Sequence, residues 1–348
     1  MEKKAGDFMP SLCYSNTKPL DYYNELEKRE IDIYNDLYFE NEKVDSIKDI
    51  DIEDILNRKI EKIKDYDYNL PQNIFLIEKY KGKVIVGRKI RSVLRIENKI
   101  NAINCSMITA PMLLGFLKKR ILKDRKIIVD FFPFTNEEKK YIFDDIKKNR
   151  KINIYYPYKY RDFYTKKEEV SPEMGWSFNP EKKEYLGYGE VHFRKFTELF
   201  LKKMEKNYNI VYDPACSTGE FLSDYKKNFP NSYTIGHDLS KDMINYAKDY
   251  VDESMCCNAL NSPLADSSVD LMFLRFLNSE VVSTKFAYKI LRVLIKKVKS
   301  GGLIICFGHT PVLIKKNMFE KYGLIPIICN GYDSMRNAIF QYYVFEVK

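Results

Sequence analysis

From Val191 to the C-terminus, apolar and polar positions fall into blocks that switch between two periods. Spacings of three and four mark helices over Phe193–Lys206, from Gly219 onward, through Met243–Tyr250 and over Phe286–Val298. Short apolar runs between them mark strands at Asn209–Tyr212, Tyr233–Ile235, Val269–Phe273 and Leu303–Phe307. A helix-like stretch covers Val312–Lys321, and two strands follow in succession at Leu324–Ile328 and Ala338–Val347. Strands alternating with helices predict an α/β domain with a parallel, doubly wound sheet. The last two strands predict an antiparallel hairpin at one edge.

The first half is patterned differently. Residues 1–60 are polar and charged, with Ile50, Ile52, Ile55, Ile60 and Ile63 partly suiting an amphipathic helix. Lys83–Leu94 reads as mixed strand and turn, and Met107–Leu122 as a helical run with a basic end. Arg125–Phe132 is strand-like. Thr135-Asn136-Glu137-Glu138 is a capping box that opens a helix through Lys148, and Lys151–Tyr156 is strand-like again. Tyr155–Gly189 is rich in aromatic residues and broken by Pro172 and Pro180, which suits a joint between two parts. The division expected is 1–190, an α+β cap that could cover a pocket or form a homodimer, and 191–348, the α/β domain.

Composition changes this picture little. The 348 residues are 45% hydrophobic, enough for a sizeable core. The formal charge is +9, but the 58 basic and 49 acidic residues are intermixed, so the charge is weak support for a nucleic-acid partner. Seven cysteines with no C-x-x-C spacing and three histidines offer no metal-site pattern, and a reducing compartment fits them best. Met1–Pro10 has no apolar core of a signal peptide, and no apolar run reaches the ~18 residues of a membrane span. A cytoplasmic protein with no membrane part is expected.

Candidate chemistry gathers after the predicted strand at Asn209–Tyr212. Asp213-Pro214-Ala215-Cys216-Ser217-Thr218-Gly219 is an acid followed by small residues and a helix start. Small residues let a ligand approach the backbone, and the helix N-terminus offers free N–H groups. A dinucleotide site would want G-x-G-x-x-G for its pyrophosphate. Here one Gly and an acid argue for a ligand with a cationic end. Twenty-five residues on, Asp238 closes the next strand within Gly236-His237-Asp238-Leu239-Ser240. An acid there can accept two hydrogen bonds from ribose hydroxyls.

These segments resemble the class I S-adenosylmethionine (SAM)-dependent methyltransferases. Their first motif commonly reads like D-x-G-x-G-x-G, their second like G-x-D-x-S-x-x-M. Cys257-Asn258-Ala259-Leu260 with Asp266–Asp270 resembles their third, and Val298–Ile305 their L-K-P-G-G turn before the fifth strand. The resemblance implies a Rossmann-like SAM-methyltransferase sheet. It implies cofactor contacts at Asp213, Ala215, Ser217 and Gly219 for the methionine part. It implies Asp238 with Leu239 for the ribose, and Asn258 and Ala259 for the adenine. Ser217 stands where the family has Gly, and Asn258 where it has an acid; an amide can still bond the adenine amino group.

The D-P-A-C form of the loop resembles some DNA adenine methyltransferases, but those need an N/D-P-P-Y/F motif for the flipped base. Here that position reads Leu274-Arg275-Phe276-Leu277-Asn278, so a DNA or RNA substrate is not expected. A small molecule is, with methyl transfer to a natural product or metabolite as the first reading. Tyr185, Tyr188, Asn278 and His309 are the candidate catalytic residues, and Arg275 could hold a carboxylate; each has packing or surface placement as its plain alternative. Phe134 and Asn136 are a weaker pair. A second reading takes the azetidine-2-carboxylate synthases as its analogy: SAM's own amino group attacks its γ-carbon and methylthioadenosine leaves. A third is a SAM-binding protein without turnover.

Overall fold

The computed structural model describes residues 49–66, 74–89, 107–123, 126–157, 167–168, 170–177, 190–278, 281–308 and 310–348. The chain divides into two units, one of Asp21–Glu168 with Cys329–Gln341, the other of Glu169–Ile328 and Tyr342–Lys348 together with Met1–Leu20.

The former unit opens with helix α1 (Ile52–Leu56). Strands follow at β1 (Glu61–Tyr66), β2 (Ile74–Tyr80), β3 (Lys83–Arg88), β4 (Met107–Ile108), β5 (Leu113–Lys123) and β6 (Lys126–Pro133). Helix α2 (Asn136–Lys148) and strand β7 (Asn153–Tyr155) complete it. Six of these strands form one sheet in the order β1-β6-β5-β3-β2-β7, with antiparallel pairings throughout. The apolar run Ile74-Phe75-Leu76-Ile77 feeds both faces. Phe75 and Ile77 pack with Ile142, Phe143 and Ile146 of α2. Ile74 and Leu76 pack with Val86, Ile127 and Val129 on the other face. The capping box forms as expected: Glu138 N–H donates to Thr135 Oγ1 at 3.3 Å, and Thr135 N–H to Glu138 Oε2 at 2.8 Å.

Two expectations for this unit are corrected. Met107–Leu122 is not helical but runs as β4, a 3-10 turn at Ala110–Met112 and then β5. A short apolar run reads alike in a buried helix and a buried strand. Gly115 settles the matter in three dimensions: a Cβ there would lie 2.0 Å from the Phe132 carbonyl oxygen of β6, so the close strand pairing requires glycine. The helix at the first isoleucines stops at Leu56, and Ile60 and Ile63 belong to the approach and body of β1, paired with β6.

The other unit alternates helix and strand: α3 (Val191–Met204), β8 (Ile210–Asp213), α4 (Glu220–Asn228), β9 (Tyr233–Asp238), α5 (Lys241–Ala247), β10 (Glu253–Cys256), β11 (Val269–Leu274), α6 (Thr284–Leu294), β12 (Val298–Phe307) and α7 (Lys316–Lys321). Strands β13 (Leu324–Asp333) and β14 (Ala338–Val347) follow, joined by the turn 334–337. The sheet order is β10-β9-β8-β11-β12-β14-β13. Strands β8 to β12 pair in parallel, and β14 runs antiparallel to β12. Counted from β8, the order is 3-2-1-4-5-7-6: a doubly wound α/β sheet with an antiparallel edge. Within the former unit, Ile339 and Phe340 of β14 also pair with Ile108 and Met107 of β4.

Helix α6 buries Ala287, Ile290, Leu291 and Leu294, the spacing of one helical face. On the face covered by α3 and α4, Phe193 stacks on Phe307, and Phe221 meets Phe273 edge-on. Strand β12 begins at Val298, ahead of the glycine pair expected as a turn; the pairing to β11 shifts register to absorb it. The helix predicted from Val312 begins only at Lys316, because Val312 bridges to Asn278.

Strand order reverses between β8 and β11. In open α/β sheets, the crevice at the carboxyl ends of the strands at such a switch point is where ligands bind. Asp213 ends β8 and Arg275 directly follows β11.

Candidate active site

The loop after β8 is held by its own backbone. Ala215 N–H donates to Asp213 Oδ1 at 3.0 Å, Cys216 N–H to the His237 carbonyl at 2.7 Å, and Gly219 N–H to the Cys216 carbonyl at 3.0 Å. Ser217 and Gly219 both have positive φ, 55° and 82°. Ser217 therefore keeps the left-handed turn that glycine supplies in the resembling motif, at a cost in backbone strain. Gly219 has no such freedom to vary: a Cβ there would stand 3.0 Å from the Ala247 backbone. The Ser217 hydroxyl rests 3.6 Å from the Met243 sulfur.

Asp238 locks this loop to the end of β9. One carboxylate oxygen accepts from Ser217 N–H and the other from Ser240 N–H, both at 2.9 Å. Each oxygen retains acceptor capacity toward a diol. Burial pushes the Asp238 carboxyl up to about 6, against the pull of those two N–H groups. Ser240 caps α5 through Met243 N–H. Leu239 lies between them. Cys257 N–H donates to the Asp238 carbonyl at 2.9 Å, which brings Asn258 and Ala259 beside the same strand end. The Asn258 side chain caps the 3-10 turn Ala259–Asn261 by accepting from Leu260 N–H at 3.0 Å.

The most unexpected feature is a chain of alternating charges. Asp213 Oδ2 accepts from Arg275 Nε at 2.7 Å, and Arg275 Nη1 donates to Glu190 Oε1 at 2.7 Å. Glu190 Oε2 accepts from Arg194 at 3.3 Å, and Arg194 reaches Asp224 on α4 at 2.5 Å. Phe221 lies beneath both guanidiniums, 4.5 Å from Arg275 and 5.9 Å from Arg194. The Asp213 side chain is fully buried. Burial raises its carboxyl, and the Arg275 charge opposes that. Burial also works against the Arg275 charge, but Asp213 and Glu190 more than restore it. Around the loop, four acidic side chains (Asp213, Glu190, Asp224, Asp238) face two guanidiniums (Arg275, Arg194), an excess of acidic groups that suits a cation.

Glu190, Arg194 and a buried trio beneath the loop carried no local signal in sequence. In the trio, Tyr212 donates to Ser262 Oγ at 3.0 Å, and its hydroxyl oxygen lies 2.9 Å from His237 Nδ1. Burial lowers His237 to about 4, which keeps the ring neutral. Burial likewise raises the Cys216 thiol, so it stays protonated and packs as an apolar group.

The remaining expected residues divide. Asn278 is buried, and with Oδ1 accepting from Thr310 Oγ1 at 2.9 Å its Nδ2 donates to the Arg275 and Phe276 carbonyls at 3.1 and 3.3 Å. Its amide thus ties the segment after β11 to the one after β12. Tyr185, Tyr188 and His309 lie outside the described residues. Phe134 is in the core of the antiparallel unit against Phe116, and Asn136 opens α2. Among the described residues no cluster of metal-ligating side chains occurs, and no helix is long and apolar enough to cross a membrane.

Residues 212–306 match the methyltransferase domain family. Over 288 residues the chain is 29% identical to isonocardicin synthase of Nocardia uniformis subsp. tsuyamanensis, spanning 82% of this chain and 94% of that protein. Among solved structures it is similar to geranyl diphosphate C-methyltransferase from Streptomyces coelicolor A3(2), at 12% identity, 52% of this chain, 91% of that chain and a TM-score of 0.36. It is also similar to magnesium protoporphyrin IX methyltransferase from Synechocystis PCC 6803, at 13% identity, 49% and 86% coverage and a TM-score of 0.36. Strand order, loop and acid define a Rossmann-like domain for an adenosyl ligand. Residues 212–306, from within β8 to within β12, match a methyltransferase domain, and the chain is a SAM-dependent transferase.

Proposed function

We propose that this enzyme uses SAM to alkylate a small molecule, with methyl transfer to a natural product or other metabolite as the first reading. The observation that carries it is Asp238. Each of its oxygens already holds one backbone N–H of the cofactor loop and keeps room for a ribose hydroxyl. The net negative surroundings favour a sulfonium and disfavour a phosphate. SAM supplies a carbon activated by its positively charged sulfur. The chain's task is then to fix that sulfur and align a nucleophile behind the carbon. Ala215, Ser217 and Gly219 shape the methionine side, Leu239, Asn258 and Ala259 the adenine side. Tyr185, Tyr188 and His309 stand as the proposed acceptor side, and Asn278 ties the segment after β11 to Thr310.

A second reading has a specific observation in its favour. The relative matched over 94% of its length is named as a synthase, not a methyltransferase. A sulfonium activates the γ-carbon of its amino-acid chain as well as the methyl. Attack there by SAM's own amino group would give azetidine-2-carboxylate and release methylthioadenosine.

One experiment separates the readings. The protein is incubated with SAM alone, then with SAM and a panel of phenolic, amine and carboxylate acceptors, and adenosine products are followed by mass spectrometry. S-adenosylhomocysteine formed only with an acceptor is expected for methyl transfer. Methylthioadenosine with a four-carbon cyclic amino acid, formed from SAM alone, would replace the first reading by the second.

A further inference from the structure

The resemblance gives Asp213 the task of orienting SAM's amino group, and the structure argues against that. Asp213 is wholly buried, with none of its side chain left for a ligand to reach, one oxygen held by Ala215 N–H and the other by Arg275 Nε. Its carboxylate faces the inside of the loop. Glu190 is placed differently. It is the N-cap residue of α3, yet its side chain makes no cap hydrogen bond to that helix. It turns instead to Arg275 and Arg194, and its side chain keeps 15% of its surface exposed.

Glu190 and Arg275 line one small open cleft with Ser217, Thr218, Phe221 and Arg194, next to the start of α4. Of the five N–H groups of a guanidinium, Arg275 commits three: to Asp213, to Glu190 and, at a long 3.4 Å, to the Cys216 carbonyl. Two remain. The cleft thus presents a carboxylate and a partly free guanidinium side by side, at the switch point of the sheet.

We infer that Glu190 and Arg275 grip the zwitterionic amino-acid head of SAM, Glu190 taking the ammonium and Arg275 the carboxylate. Asp213 acts behind them as a positioning residue that holds the Arg275 fork in its plane. This rests on the SAM reading above. It relocates the ammonium contact from the loop acid to a residue 23 positions upstream, at the entry to α3. Charge-assisted pairs of this kind are the strong ones, and a guanidinium fixed by one buried carboxylate presents its remaining donors without further ordering cost.

The test compares two ligands that differ only by the head. Dissociation constants for S-adenosylhomocysteine and for methylthioadenosine, which lacks the amino-acid head, are measured by calorimetry on the full chain. Glu190→Gln should weaken S-adenosylhomocysteine by at least about tenfold and leave methylthioadenosine within about twofold. Glu190→Asp should recover part of the loss. Asp213→Asn should weaken S-adenosylhomocysteine more than methylthioadenosine, but by less than Glu190→Gln does, because it acts only through the Arg275 fork. On the unaltered protein, S-adenosylhomocysteine lacking only its amino group should lose at least about the tenfold that Glu190→Gln costs, a measurement that needs no variant to fold. An unchanged ratio of the two ligands in Glu190→Gln, or a larger change of ratio in Asp213→Asn, would overturn the clamp while leaving the SAM reading intact. Failure of the unaltered protein to bind S-adenosylhomocysteine would overturn both.

Discussion

Arg58 and Arg275, one in each unit, each meet two carboxylates, and they do different work. Arg58 bonds Glu138 at 2.7 and 2.8 Å and Asp54 at 2.5 Å. It fastens α1 to the capped start of α2, with 26% of its side chain exposed and Asp54 63% exposed. Arg275 bonds Asp213 and Glu190 with only 8% exposure, against a carboxylate that has none. The Arg58 pairing supplements a helix cap that already stands on backbone bonds. The Arg275 charge is what opposes the burial that raises the Asp213 carboxyl. A buried ion pair is weak evidence for stability but a strong device for holding one geometry. That is what a cofactor site requires.

The comparison is most exposed to breaking at Arg275. Arg275→Met takes the guanidinium away from Asp213 and Glu190, and should cost about 3–5 kcal/mol of folding stability. Arg58→Met should cost roughly 1 kcal/mol. Urea unfolding of both variants measures the difference, and equal losses would erase the distinction between the two pairs.

Asp238 comes next. Asp238→Ala should weaken SAM by about 1.5–3 kcal/mol, the value of a lost hydrogen bond to a charged group. Its pH dependence sharpens the point. Burial pushes the carboxyl up to about 6 from 3.8, so the folded protein holds a proton there that the unfolded chain has released. This group alone makes the empty fold less stable as pH rises through that window. SAM affinity moves the other way. Below pH 6 a proton occupies a lone pair that a ribose hydroxyl needs, so affinity should fall toward tenfold per pH unit, about 1.4 kcal/mol. Calorimetry between pH 5 and 8 reads it, and Asp238→Asn should flatten the profile. A profile that stays steep in that variant would assign the titration elsewhere.

The smallest effect belongs to the antiparallel unit. Thr135→Ala removes the cap of α2 and should cost about 1 kcal/mol, seen as a lowered urea midpoint, with SAM affinity unchanged.

Much of the site was legible because its chemistry is local. Asp213, Gly219 and Asp238 sit where an apolar run gives way to a helix start, and both the strand end and the helix N-terminus are written in neighbouring residues. Ser217 stands out in the sequence as a departure from glycine, and its φ of 55° shows the serine accepting the glycine conformation. Asn278 was legible as a polar residue near a strand end, but its use as a tie between two segments depends on Thr310, far along the chain. Arg275 read as a carboxylate holder in general terms. Its partners did not.

What the sequence by itself determined is the alternation of helices and strands from α3 to β14 except for β10, the loop after β8, the acid that closes β9 and the cap of α2, since each follows from periodicity and from hydrogen bonds that close within a few residues. Tertiary structure alone decided that Leu113–Lys123 is a strand, because an apolar run takes the form its neighbours can pair with. It also decided which acid stands where. Asp213 and Arg275 are 62 residues apart and Glu190 and Arg275 are 85 apart. No spacing rule connects them. They meet because the strand order reverses between β8 and β11, and a charge buried at that crevice is tolerated only where the fold delivers its partner.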